Sequence, residues 1–236
     1  MCGRFEIHST IEIIAKLFAI DSITFDIRPN YNIAPSQNVV AVASDGKKNR
    51  LFSCRWGFVP QWSKEIKTGF TMINARAETV ADSKTYRSAF ENHRCLVVAD
   101  GFYEWKKQNK IKIPVYIHLR SGDPMGLAGL YNLWTSPEGE EICTCTIVVT
   151  DANEIIAPVH ERMPVIIDAE KFGQWLDPAV HDREALLPLL KPCGPEKIEM
   201  YPVTSKVNSY KHNDPENIKP VVMEPKNKET ERRKTE

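Results

Sequence analysis

Apolar and polar positions follow two different periods along this chain of 236 residues. In "STIEIIAKLFAI" the apolar residues Ile11, Ile14, Ala15 and Phe18 recur at helical spacing, and Ser9 with Glu12 has the form of a capping box, so a first helix is predicted there. The Pro/Asn-rich stretch "RPNYNIAPSQN" reads as a loop. Beyond it the pattern turns to short runs rich in β-branched and aromatic residues: "VVAVAS", "RLFSCRWGFV", "CLVVADGFYEWKK", "IPVYIHL", "GLAGLYNLWT", "CTIVVT" and "MPVII". Helical spacing interrupts these at about 84–93, 169–176 and 182–190. Strands that follow strands, with few helices between, predict an α+β fold: a single domain over residues 1–221, built on a mostly antiparallel β-sheet or barrel with a few peripheral helices. The chain shows neither a repeat nor an internal linker. In "VVMEPKNKETERRKTE" the apolar residues stop at Met223, and 222–236 is predicted to be a charged, disordered tail.

Composition narrows this picture. A domain of this size buries a core that needs no staples. Lys plus Arg and Asp plus Glu cancel at 31 each, so the protein is no polycation and any nucleic-acid site must be a local patch. No apolar run approaches the ~18 residues of a membrane span, and no membrane partner is expected. The six cysteines (Cys2, Cys54, Cys95, Cys143, Cys145 and Cys193) form no CxxC pair, and no secretory pattern precedes them. Free thiols in a reducing cytoplasm are expected. Cys143 and Cys145, two apart in a strand-like run, read as small hydrophobes on one face rather than zinc ligands, so neither metal nor other cofactor is expected.

Candidate chemistry sits in a few short segments. "MCGRF" places Cys2 where removal of Met1 puts an amine and a thiol on one residue. In "INARAE", 73–78, an extended backbone turns Asn74, Arg76 and Glu78 to one side and Ala75 and Ala77 to the other; an exposed edge strand with a salt bridge has the same pattern. In "DGFYEWKK", Phe102 and Glu104 share one face, Tyr103 and Trp105 the other. A glutamate among aromatics is desolvated, which raises its pKa and suits a general acid or base near neutrality; the alternative is a carboxylate reaching solvent beside a lysine. In "APVHERMPVII", Pro158 and Pro164 bracket a turn carrying His160 and Arg162, where a lone histidine is equally a surface residue. "CRWGFVPQWSK" adds Trp62 in a loop after Pro60, with Trp56 assigned to the core.

Taken in order and spacing, "MCGRF", "YNIAPSQ", "WGFVPQW", "INARAE", "DGFYEW" and "VHERMP" resemble the SOS-response-associated peptidase (SRAP) family of abasic-site processing proteins, from Met1 to about Val221. The resemblance implies a DNA-damage response protein, cytoplasmic and nucleoid-associated when bound. Its expected partner is single-stranded DNA with abasic sites, or a single-strand/duplex junction, and a monomer suffices. An abasic site equilibrates with an open-chain aldehyde, which a 1,2-aminothiol traps as an imine and then a thiazolidine. The ordinary α-amino pKa of ~7.7–8.0 leaves useful free base near neutrality. Met1 must then be gone, and the resemblance implies that the protein assists its removal. It also implies that Asn74 holds the new N-terminal residue, Glu104 shuttles protons, and His160 protonates the sugar ring oxygen. Arg4, Arg76, Arg162 and Lys84 would clamp phosphates, while Pro35 and Trp62 stack beside bases. Two other classes fit parts of the pattern: an N-terminal nucleophile hydrolase using Cys2 and an Asn74 oxyanion hole, and a non-catalytic module for modified bases.

Overall fold

The computed structural model describes residues 2–23, 25–67, 71–109 and 111–222, and in it two sheets share one hydrophobic core. The smaller has the order β14 (Ile198–Pro202), β9 (Ile111–Leu119), β8 (Gly101–Gln108), β1 (Phe5–Ile7), β3 (Asn30–Ile33). The larger runs β12 (Arg162–Pro164), β11 (Glu141–Asp151), β10 (Met125–Thr135), β7 (Arg94–Ala99), β4 (Asn38–Ser44), β5 (Asn49–Trp56), β2 (Ile20–Ser22). On it, β13 (Ile166–Ile167) pairs with β10 and β6 (Asn74–Arg76) with β11. Parallel pairing of β11 with β5 closes β5, β4, β7, β10 and β11 into a small barrel. The α+β expectation, mostly antiparallel with a few peripheral helices, holds.

Cys54, Cys95 and Cys145 are all buried in the core, and a Cβ at Gly129 would stand 2.9 Å from the Cys95 sulfur. All six cysteines are free, and Cys143 alone is partly exposed. The predicted helices appear as α1 (Ile11–Leu17), α2 (Arg87–Asn92), α3 (Phe172–Leu176) and α4 (Arg183–Leu186), the last two extended by 3-10 turns. Each is short and rests on the sheets. Arg94, at the start of β7, is buried and donates to the carbonyls of Phe90 and Glu91 in α2, of Trp175 in α3, and of Asp177 and Val180 beyond it. One guanidinium thereby satisfies acceptors that two helix C-termini leave open.

Three expectations need correction. The capping box does not form: Thr10 is the N-cap residue, and the Ser9 hydroxyl and N–H both donate to the Asp100 carboxylate. The run "CLVVADGFYEWKK" is two strands in different sheets. Between β7 and β8, Asp100 turns its carboxylate to the N–H groups of His8 (2.5 Å) and Ser9 (2.7 Å), ending one ladder and tying the crossover to the start of the chain. Gly101 begins the next ladder because the Tyr116 ring occupies the place of a Cβ there. The loop "RPNYNIAPSQN" contains β3, and β1 and β14 also escape the hydrophobic pattern. The predicted tail lies, from residue 223 on, outside the described residues, among which no helix is long and apolar enough to cross a membrane.

Candidate active site

The chain's first residues run along β8. Phe5 pairs with Phe102, and the Tyr103 N–H donates to the Arg4 carbonyl, so the register carries Cys2 toward Glu104. Cys2 is fully buried. From the larger sheet, β11 brings the other groups: Ile147 pairs with Asn74, Val149 with Arg76, and Asp151 with Arg162. The alternation read in "INARAE" is present, with Ala75 and Ala77 buried and Arg76 and Glu78 exposed. Asn74 Nδ2 donates to the Cys2 carbonyl at 2.8 Å, while Asn74 Oδ1, also buried, has no hydrogen-bond partner among the described residues. The amide that holds the Cys2 carbonyl therefore keeps a buried acceptor unused. The Tyr86 hydroxyl donates to the Asn74 carbonyl at 3.5 Å, steadying the strand from behind.

Glu104 and His160 line one cleft of about 670 Å³ together with Trp105, Lys107, Lys112, Pro158, Val159 and Glu161. Glu104 is 5% exposed, and burial raises its carboxyl to about 7 against the opposing charge of the amino terminus. The desolvated glutamate expected from the aromatic alternation is there: Phe102 lies in the core, and Tyr103 packs on the outer face with Tyr116, Val203 and Val207. Burial also pushes the Cys2 thiol well up, with the Glu104 charge adding to it, so the sulfur is a thiol at neutral pH. His160 is lowered, first by burial and then by the amino terminus. Its Nδ1 accepts the Arg162 N–H at 2.9 Å, which puts the proton of the neutral ring on Nε2.

The remaining expected residues divide. Arg76 is exposed two positions from Asn74. Arg162 is held by Glu78 at 2.5 Å and Asp151 at 3.4 Å, the salt bridge that the edge-strand reading of "INARAE" anticipated. Arg4 points inward, donating to Asn32 Oδ1 at 2.6 Å and the Val207 carbonyl at 3.0 Å. Trp62, 65% exposed, lines a smaller hollow with Lys84, Phe58 and His93, while Trp56 is buried as expected. Pro35 sits in a turn pinned to the end of β5 by the Ser36 N–H, which donates to the Trp56 carbonyl. The structure adds Lys107 and Lys112 to the cleft, for which the doubled lysine after "EW" is the one sign in the sequence.

A more apolar cavity of about 550 Å³, lined by Leu17, Met125, Ile166, Phe172 and Cys193 among others, shares no residue with the cleft, and the acid–base pair on its lining, Asp168 and Lys197, is already closed as an ion pair at 2.6 Å. Donor atoms of Glu6, His8 and Asp100 converge within 4.8 Å, close enough for a metal ion. Their hydrogen bonds give them structural work at the crossover: Glu6 accepts from Tyr116 at 2.6 Å and lies 3.0 Å from His8 Nδ1, and Asp100 holds the His8 and Ser9 N–H groups.

With this geometry in view, comparison with known proteins decides the lineage: residues 1–210 match the family model described as SOS response associated peptidase (SRAP). The chain belongs to the SRAP family. It is 44% identical over 221 residues to the abasic site processing protein YoqW of Bacillus subtilis, covering 92% of this chain and 99% of that one. It is 30% identical to the abasic site processing protein YedK of Escherichia coli, with 94% and 100% covered. It is 34% identical to the abasic site processing protein HMCES of Gallus gallus, covering 83% of this chain and 67% of that protein. A crystal structure of a Bacteroides thetaiotaomicron protein superposes with a TM-score of 0.83 at 25% identity, over 94% of this SRAP chain and 100% of that one.

Proposed function

We propose that this protein processes abasic sites in single-stranded DNA by forming a covalent thiazolidine through Cys2 after loss of Met1. The observation that carries the reading is that a side-chain amide holds the Cys2 carbonyl, a carboxyl poised near neutrality acts on the Cys2 thiol, and a neutral imidazole lines the same cleft as that carboxyl. The amine of Cys2 adds to the aldehyde carbon, and water leaves to give an imine. The thiol then adds to the same carbon, its proton passing to the nitrogen, for a net loss of one water. Glu104, about half protonated near pH 7, gives a proton to the departing oxygen and takes one from the thiol, which suits a sulfur that starts protonated. His160 presents Nε2–H to the sugar ring oxygen as the ring opens. Asn74 Oδ1 accepts from the new amine and aims its lone pair.

Met1 must go first, because the nitrogen of an amide cannot form an imine; the peptidase activity in the family's name is the proposed route. Arg76, Arg162 and Lys84 contact phosphates, Arg162 by exchanging Glu78 for DNA, while Arg4 stabilises the frame beneath the cleft. Pro35 and Trp62 stack beside bases. Residues 1–221 then act as one catalytic and DNA-binding unit that needs no cofactor and no second subunit, in the cytoplasm.

The test is a denaturing gel with an abasic-site oligonucleotide, run beside intact-mass analysis. Wild type is expected to begin at Cys2 and to give a shifted band that survives SDS. Cys2→Ala is expected to lose that band and to leave only an imine that borohydride traps. A heat-stable adduct from Cys2→Ala without reductant, or from protein retaining Met1, overturns the mechanism. Binding without any adduct in the wild type leaves the modified-base module; cleavage of amides at Cys2 leaves the hydrolase.

A further inference from the structure

β8 and β9 pair over their full length, from Gly101 opposite His118 to Gln108 opposite Ile111. Their outer neighbours stop much earlier: β1 accompanies β8 only at Gly101 and Phe102, and β14 accompanies β9 only over Val115–Leu119. Past Trp105 and Pro114 the pair continues as a two-stranded ribbon with no third strand among the described residues. Burial falls away with the neighbours, Ile113 being the last buried residue of the ribbon. Glu104 is buried, Trp105 is half-buried, and Lys106, Lys107, Gln108, Asn109, Ile111 and Lys112 are exposed. Beyond Ile113, hydrophobic packing is therefore not what this protrusion is for.

Charge supplies the alternative. Between Trp105 and Asp123 the sequence holds Lys106, Lys107, Lys110, Lys112 and Arg120 and no acidic residue, in a chain whose net charge is zero. Lys107 stands directly opposite Lys112 across the ladder, an arrangement that is unfavourable between like charges unless an anion bridges them. Lysines also guard exposed sheet edges against pairing with other chains. Edge protection alone does not require them in the cleft, and Lys107 and Lys112 line it with Glu104 and His160. At about 3.3 Å per residue, Lys107 lies about 10 Å along β8 from Glu104, the rise of about three nucleotides in a stacked strand.

Resting on the reading that the cleft takes an abasic site, we propose that this ribbon is a DNA-backbone arm. Lys107 and Lys112 together grip phosphate of the lesion-bearing single strand on one side of the lesion, with Lys106 extending the contact outward. The contact is electrostatic, indifferent to base sequence and continuous with the cleft.

The experiment measures binding of intact, unreactive single-stranded oligonucleotides by anisotropy across a salt series, for wild type, Lys107→Gln/Lys112→Gln and the charge-keeping Lys107→Arg/Lys112→Arg. Two phosphate contacts on a single strand account for a slope of ~1.4 in log K against log salt, so the Gln pair is expected to flatten the slope by ~1.4 and weaken binding about 25-fold at 0.1 M salt, the loss vanishing toward 1 M. The Arg pair is expected to restore both. With oligonucleotides carrying the abasic site at one end, the loss is expected for the strand that extends to one side and not the other. Unchanged slope and affinity in the Gln pair overturn the arm, as does a loss confined to DNA with a duplex flank. Adduct formation by the wild type is scored separately, so failure of the arm and failure of the cross-linking reading give different results.

Discussion

Burial holds Glu104 at about 7, where a carboxyl can both give and take a proton near neutral pH. The same burial has a stability cost that can be measured. An unfolded glutamate titrates near ~4.3, so between that pH and about 7 the folded state binds the extra proton. Stability therefore falls as pH rises through this window and stays lower above it. Glu104→Gln removes the titration. Its melting temperature is expected to match wild type near pH 4 and to exceed it progressively up to pH 8, where the gain reaches up to about 4 kcal/mol. Adduct formation by the same variant is expected to slow by roughly 10²–10⁴-fold. A difference in melting temperature that stays flat from pH 4 to 8, or a normal adduct rate, removes Glu104 from the acid–base role. The residue was legible because "GFYEW" alternates, and alternation puts a carboxyl beside Phe102 on the core side of β8. What the sequence did not carry was the placement of Asn74 against Cys2, residues 72 positions apart.

At the scale of elements, the long strands were legible and the short ones were not. β10 and β11 each have eleven residues, enough alternation to declare themselves. β1 has three residues and β3 four, and they are strands because β8 and β1 supply partners for their N–H and C=O groups. The split of "CLVVADGFYEWKK" was hidden for a related reason. Both halves are apolar enough to be strand, and only the docking of Asp100 on His8 and Ser9 separates them. Helices this short do not hold themselves together either. Arg94 joins the ends of α2 and α3 through five carbonyls, and Arg94→Met keeps much of its apolar stem while leaving those acceptors buried and unpaired. A loss of about 3 kcal/mol in urea unfolding is expected, with hydrogen exchange accelerating first in α2 and α3. Exchange that rises evenly over the whole chain would show that the arginine does not organise these two elements.

For the whole molecule, zero net charge means that attraction to DNA must come from arrangement. Arg76 is exposed beside Asn74, so Arg76→Ala is expected to lower the salt slope of single-strand binding by ~0.7, by the same amount for unrelated sequences. Arg162 is already paired with Glu78, so Glu78→Gln is expected to tighten binding by removing the competitor. Anisotropy titrations on several oligonucleotides check both, and a loss that depends strongly on sequence would point to base readout instead. By itself the sequence determined the strand-rich α+β class, the free thiols and the short segments that hold the candidate residues, because these follow from local period, composition and residue type. Tertiary structure alone decided that β11 sets Asn74, Arg76 and Arg162 side by side, that Arg4 turns inward, and that Lys107 and Lys112 reach the cleft. Those relations depend on strand pairing between distant segments, and a one-residue change of register would turn each side chain to the opposite face.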